Sequence, residues 1–202
     1  MGTLKKYHIA VFASGNGTNF EALVEACRHG TIPADVRLLV CDKQDAYVLQ
    51  RAARLGVEAV ALQPRQFVDK AAYETRIVQL LQQHEIAFVC LAGYMRIVGP
   101  ILLNAYAGRI LNIHPALLPA FKGAHAIDDA FDFGVKVFGV TVHLIDHTID
   151  GGVILAQRAF EYHGGDRDEV ERRIHEIEHQ LYPEAVAKYC QELERVHNPN
   201  QF

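Results

Sequence analysis

The sequence predicts an α/β fold: a mostly parallel, twisted sheet of about seven strands with helices on both faces. Three observations predict it. Short, continuous apolar runs such as Ile9-Ala10-Val11-Phe12 and Phe88-Val89-Cys90-Leu91 recur along the chain. Strands of a parallel sheet are covered on both faces and carry runs of this kind. Between the runs lie segments whose apolar residues fall three and four apart, the helical period. Through the first half the two kinds alternate, and each strand–helix–strand unit closes into one parallel sheet with a right-handed crossover.

Taken in order, residues 8–13 are the first strand. Ser14-Gly15-Asn16-Gly17-Thr18-Asn19 follows, then a helical pattern in Phe20, Leu23, Val24 and Cys27. Residues 36–41 form a second strand, 46–55 a helix closed by Gly56, and 57–62 a third strand. Residues 69–84 form a long amphipathic helix with Tyr73, Ile77, Leu80 and Leu81 on its apolar side. Residues 88–92 are the fourth strand, ending in Gly93-Tyr94-Met95-Arg96, and 100–106 a short helix. Residues 110–114 are the fifth strand, and 125–133 a helix with Ala126, Ile127, Ala130 and Phe131 as its apolar positions. Residues 137–145 alternate, placing Val140, Val142 and Leu144 on one face and Thr141 and His143 on the other. A loop over 146–152 leads to a last strand, 153–160. Two strands in succession make the sheet mixed here. The closing helix runs from about Asp166, an N-cap candidate with Glu169 three residues on, to about Leu193. Residues 198–202 read as a frayed end. The whole is a three-layer, Rossmann-like arrangement, read as one domain over 1–202.

Composition bounds the function. Of 202 residues half are hydrophobic and 22% charged, a core-forming balance. A net charge of -4 argues against nonspecific nucleic-acid binding, while a small anionic ligand needs only a local site. Among the eleven histidines, His8, His29, His84 and His197 fall in polar segments and read as solvated. Cys27, Cys41, Cys90 and Cys190 form no close pair, which excludes a CxxC redox or zinc motif. Free thiols and the lack of a signal peptide suit the cytoplasm. Lys6 stands where myristoylation of Gly2 would require Ser or Thr. No apolar run approaches the roughly 18 residues of a membrane span.

Three segments carry chemistry. The turn Ser14 to Asn19 lies between strand and helix, where backbone N–H groups and the helix dipole favour a phosphate. Gly15-x-Gly17 lacks the third glycine of a dinucleotide fingerprint, Phe20 standing there instead, and no Gly-Lys-Ser/Thr makes a Walker loop. A phosphate monoester fits better than a pyrophosphate; an ordinary tight βα turn is the alternative. In Ile110-Leu111-Asn112-Ile113-His114-Pro115, strand alternation puts Asn112 and His114 on one face, about 6.6 Å apart along the strand. Such a pair near a strand's C-terminal end faces the ligand crevice of an open α/β sheet. The alternative is two hydrogen-bonded core polar residues beside a loop. Arg96 is either a ligand contact or a surface charge. Asp150, just before Gly151-Gly152, completes a possible trio: Asn as donor, His as proton carrier, Asp as the partner that favours an imidazolium. That trio suits oxyanion stabilisation and proton shuttling. It contains no nucleophile in a strained elbow and no metal-spaced ligand set.

Four motifs resemble one known family: Ser14-Gly15-Asn16-Gly17-Thr18-Asn19; Leu91-Ala92-Gly93-Tyr94-Met95-Arg96; Leu111-Asn112-Ile113-His114-Pro115-Ala116-Leu117-Leu118-Pro119; and Gly139-Val140-Thr141-Val142-His143 with Asp150-Gly151-Gly152. Together they resemble the phosphoribosylglycinamide formyltransferases, the glycinamide ribonucleotide branch of the folate-dependent formyltransferases. The likeness runs in one order from about residue 7 to Pro183. It implies transfer of a formyl group from 10-formyltetrahydrofolate to the amine of glycinamide ribonucleotide, in purine synthesis and without a metal. It implies Asn112, His114 and Asp150 as catalytic residues. Gly17, Thr18, Asn19, Pro115 and Glu178 would bind the substrate. Met95, Arg96, Ile97, Asn112, Ile145, Asp146 and His147 would line the formyl-folate pocket. A cis bond at Leu118-Pro119 is also implied, against a background of about 5–6% for X–Pro bonds.

The chain departs from the family pattern at Phe138, where some members carry His, at His175, where some carry Gln, and in its short C-terminus. A methionyl-tRNA formyltransferase would need a further RNA-binding domain, and a formyltetrahydrofolate hydrolase a regulatory one; the chain has room for neither. The intact trio argues against a non-catalytic nucleotide-binding module. A monomer and a homodimer both remain open, with no nucleic-acid or membrane partner expected.

Overall fold

The structure, a computed structural model, describes residues 6–197. The expected frayed end at 198–202, Gly2 and the side chain of His197 lie outside the described residues. The elements follow the expected order: β1 (Tyr7–Ala13), α1 (Thr18–Arg28), β2 (Ala34–Cys41), α2 (Tyr47–Arg54), β3 (Glu58–Ala61), α3 (Lys70–Gln83), β4 (Phe88–Leu91), α4 (Pro100–Ala105), β5 (Ile110–His114), α5 (Ala126–Phe133), β6 (Val137–Leu144), β7 (Ile154–Glu161) and α6 (Arg167–His197). One 3-10 turn, Pro64–Gln66, was not anticipated. Asp69 caps α3 by accepting from the Ala72 N–H at 2.7 Å, and Asp166 caps α6 through the Glu169 N–H at 2.8 Å. The closing helix runs past Leu193 to His197 and carries Pro183 inside it. The buried Glu74 of α3 accepts from the Gly99 and Leu102 N–H groups and so caps α4, which has no side-chain cap of its own.

The strands lie in the order β3-β2-β1-β4-β5-β6-β7, giving a Rossmann-like α/β fold. β1 to β5 are parallel, as their helical crossovers require, and β6 and β7 are antiparallel. The apolar stripes of α1, α2, α5 and α6 pack with Leu111, Ile113, Val140 and Val142 on one face. Those of α3 and α4 pack on the other with Ala10, Phe12, Leu38 and Val40. From β5 onward only Ile110 and the partly buried Ile145 enter this second cluster, and no described residue of β6 or β7 does. Half of that face therefore has no helix over it. Asn112 pairs with His143, and His114 with Thr141, across the β5–β6 ladder, so all four side chains project there.

All four cysteines are buried and free. Burial pushes the thiols of Cys27 and Cys190 up to about 12, far from thiolate chemistry at neutral pH. Of the histidines expected to be solvated, His29 is exposed, whereas His8 and His84 are half-buried. Both stand at element edges, His8 beside Arg37 and His84 beside Glu58.

Candidate active site

A cleft of about 350 Å³ opens at the C-terminal ends of β1, β4 and β5, on the α1/α6 side. Gly15 to Asn19, Met95, Pro115 and Glu178 line it, joined by Arg167 and His175 of α6. This brings together five residues predicted to bind substrate and one predicted for the folate pocket. Gly17, at φ +82°, precedes the first turn of α1 and lies against Val48. Asn19 turns its Nδ2 to Glu178 Oε2 at 2.9 Å; its Oδ1 is buried and has no protein partner among the described residues. The nearly buried Glu178 also accepts from His175 Nδ1 at 2.9 Å. That hydrogen bond, outweighing partial desolvation, raises the pKa of His175.

The trio expected to be catalytic lies across β5 from this cleft. Ile113 and Pro115 face the cleft, while Asn112 and His114 face the uncovered half of the opposite side. His114 Nδ1 is 3.7 Å from Asp150 Oδ1, too long for a direct hydrogen bond. His114 Nε2 lies 2.8 Å from the carbonyl of Phe121. A carbonyl only accepts, so Nε2 carries a proton and Nδ1 is the nitrogen turned toward Asp150. Asp150 Oδ2 accepts from the Gly123 N–H at 2.6 Å. Phe121 and Asp150 both hold positive φ, 50° and 47°, a conformation that side chains adopt only under constraint from their surroundings. The Leu118-Pro119 bond between them and β5 is cis.

His143 was not singled out from sequence, yet it belongs to this group. Its Nδ1 lies 2.8 Å from the Gly151 carbonyl and its Nε2 3.1 Å from Asn112 Nδ2. Desolvation lowers its pKa, so the ring is neutral at pH 7. With the Nδ1 proton given to Gly151, Nε2 must accept from Asn112. That fixes the Asn112 amide, with its second N–H free. The available signal was the shared face of Thr141 and His143; the antiparallel pairing with β5 was not readable from sequence.

The residues expected around the folate pocket divide. Met95 and Ile97 are 66% and 69% exposed on the loop after β4. Ser14 fixes this loop twice, its N–H donating to the Gly93 carbonyl at 3.0 Å and its Oγ accepting from the Met95 N–H at 2.9 Å. Arg96 Nε donates to the buried Asp42 at 2.9 Å, which ties the loop to the end of β2. Ile145 packs with Tyr94 and Val98 against the α3/α4 cluster. Asp146 Oδ1 accepts from the N–H and the hydroxyl of Thr148, bonds that shape the exposed loop and lower the pKa of Asp146. His147 is exposed.

A glycine-bearing strand–helix turn, an Asn-x-His strand end and an Asp loop thus stand together at one end of one sheet. The formyl transferase family profile matches residues 7–186, and the chain belongs to that family and is one of its enzymes. Within it, the chain stands with the phosphoribosylglycinamide formyltransferases. It is 48% identical over 184 residues to the Bacillus subtilis protein of that name, covering 91% of this chain and 93% of that one. It is 34% identical over 191 residues to the Escherichia coli protein, covering 94% and 90%. The crystal structure of phosphoribosylglycinamide formyltransferase from Bacillus halodurans matches with a TM-score of 0.89 at 45% identity, over 93% of this chain and 97% of that one.

Proposed function

We propose that the protein, a single formyltransferase domain over 1–202, transfers the formyl group of 10-formyltetrahydrofolate to the amine of glycinamide ribonucleotide. The product would be formylglycinamide ribonucleotide in purine biosynthesis, in the cytoplasm, with the enzyme acting as a monomer or homodimer. One observation carries this assignment. Consecutive residues at the end of β5 face opposite ways, Ile113 and Pro115 into the cleft and Asn112 and His114 into the trio. A ligand whose phosphate sits at Gly17, Thr18 and Asn19 and whose amine passes over Pro115 reaches both. Among the described residues no helix is long and apolar enough to cross a membrane.

The exposed apolar side chains Met95 and Ile97 fit a flat heteroaromatic donor, and Arg96, Ile145, Asp146 and His147 would frame it. When bound, the donor supplies a formyl carbon activated for attack. The free N–H of Asn112, held by His143, donates to the carbonyl oxygen as charge gathers on it. One such donor is typically worth about 10²–10³ in rate. His114, anchored through Nε2 to Phe121, keeps Nδ1 for proton traffic. The 3.7 Å gap to Asp150 admits a bridging group between carboxylate and ring. Glu178 receives the ribose end of the substrate.

The test is turnover by purified protein with both reactants present. Product formation that needs glycinamide ribonucleotide and 10-formyltetrahydrofolate together is expected. Formyl transfer only to water or to methionyl-tRNA would overturn the assignment.

A further inference from the structure

The turn after β1 is gripped from behind by α2, at three consecutive residues. The Gly15 carbonyl accepts from the Val48 N–H at 3.1 Å. The Asn16 carbonyl accepts from Arg51 Nε at 2.8 Å, and Asn16 Oδ1 accepts from Arg51 Nη2, also at 2.8 Å. Gly17 sits so close to α2 that a Cβ there would come 2.3 Å from Val48 Cγ2. The remaining face of the guanidinium is used as well. Its Nη1 is bonded to Glu21 of α1, and its carbon lies 4.9 Å from the centre of the Tyr47 ring.

In a planar trans peptide the C=O of one residue and the N–H of the next point in opposite directions. Turning the carbonyls of Gly15 and Asn16 toward α2 therefore turns the N–H groups of Asn16 and Gly17 away from it, toward the cleft these residues line. Two N–H groups turned toward one cleft before any ligand arrives can form a preorganised anion seat.

We infer that Arg51 is a positioning residue for phosphate binding: it acts through Asn16 and does not touch the ligand. The inference rests on the phosphate assignment of the cleft. Arg51 shares the Glu21 carboxylate with Arg54, so charge at this corner does not depend on Arg51 alone, and the inferred contribution of Arg51 is geometric. A planar fork holds both Asn16 oxygens and Glu21 at once, which a lysine ammonium cannot reproduce.

The experiment uses the full chain, with Arg51→Lys and Arg51→Ala, and Asn16→Ala should neither Arg51 variant fold. Steady-state kinetics, thermal melts and amide NMR with ribose 5-phosphate are the readouts. Both Arg51 variants should raise the KM for glycinamide ribonucleotide roughly tenfold, while kcat and the KM for the formyl donor stay within about twofold; a tenfold change corresponds to about 1.4 kcal/mol. Asn16→Ala, which removes one of the two acceptors, should raise the same KM by a smaller factor. Ribose 5-phosphate should shift the Asn16 and Gly17 amides of the wild type, and shift the Gly17 amide less in the variants. An Arg51→Lys enzyme with wild-type KM would overturn the inference, since charge alone would then suffice. A lowered melting temperature with unchanged KM would overturn it too, reducing Arg51 to a tie between α1 and α2. Wild-type amides that ignore ribose 5-phosphate would instead sink the phosphate assignment, and the inference with it.

Discussion

The cleft around Gly15 to Glu178 and the pocket around Asn112 to Asp150 are built differently. At the cleft the proposed binding groups are backbone N–H groups at a helix start, and the left-handed position falls on a glycine, Gly17 at φ +82°. At the trio, by the proposed reading, side chains would do the chemistry, on the face of the β5–β6 pair opposite its helix-covered side. There Phe121 and Asp150, which have side chains, take left-handed positions beside Gly123 and Gly152. Each region also holds a histidine under opposite pressure. The Glu178 carboxylate raises the pKa of His175, while burial lowers that of His143. Under the proposed function, the difference teaches that one end would receive a fixed charge and the other would keep a neutral donor aimed while protons move beside it.

The strongest way to break this contrast is at the trio. Asp150→Asn keeps an oxygen that can accept from the Gly123 N–H and removes the charge beside His114. The rate should fall by at least about 10²-fold, with a similar loss for His114→Ala and a double mutant far short of the product of the two. Calorimetric affinity for glycinamide ribonucleotide should hardly move. Additive losses together with weakened folate binding would reduce Asp150 to a loop-shaping residue.

Gly17→Ala tests the cleft with an intermediate effect. The added Cβ meets Val48 at φ +82°, a strain of about 1–3 kcal/mol, and substrate affinity should fall while formyl-donor affinity is kept. Adding Val48→Ala should recover part of the loss. Equal weakening of both reactants would mean that the two regions are not separable.

The smallest effect is in pH. His143 has a folded pKa below 6.5, so its contribution to stability is present above 6.5 and is lost as pH falls below that value. His175 has a folded pKa above 6.5, so its contribution is full below 6.5 and is lost as pH rises through the raised value. His175 is half exposed, and solvent keeps its share modest. NMR titration midpoints should fall on opposite sides of 6.5, and Glu178→Gln should draw that of His175 down. Midpoints on the same side would erase the contrast.

The same contrast explains what was legible in the sequence. The cleft is largely a local object: Ser14 to Asn19 is one strand–turn–helix segment, and its glycines and flanking apolar runs announce it. Asn112 and His114 were legible as an i, i+2 pair for the same reason. The hydrogen bonds of His143 to Asn112, His114 to the Phe121 carbonyl and Asp150 to Gly123 were not, because antiparallel register and loop return are set by packing far along the chain. Nothing in the sequence singles out Arg51 or Glu74, and only the tertiary arrangement makes one a brace for Asn16 and the other a cap for α4. The bond between Arg96 and Asp42 was hidden in the same way, behind a choice between ligand contact and surface charge.

Ser14 bonds at once to Gly93 and to Met95, so one residue at the head of the turn proposed for phosphate also holds the loop proposed to meet the formyl donor. Thermodynamic linkage makes any influence across such a joint mutual. If an occupied phosphate turn steadies Met95, a partner resting on Met95 strengthens phosphate binding by the same factor. A perturbation at Ser14 would then lower both cross-effects equally, whichever reactant arrives first.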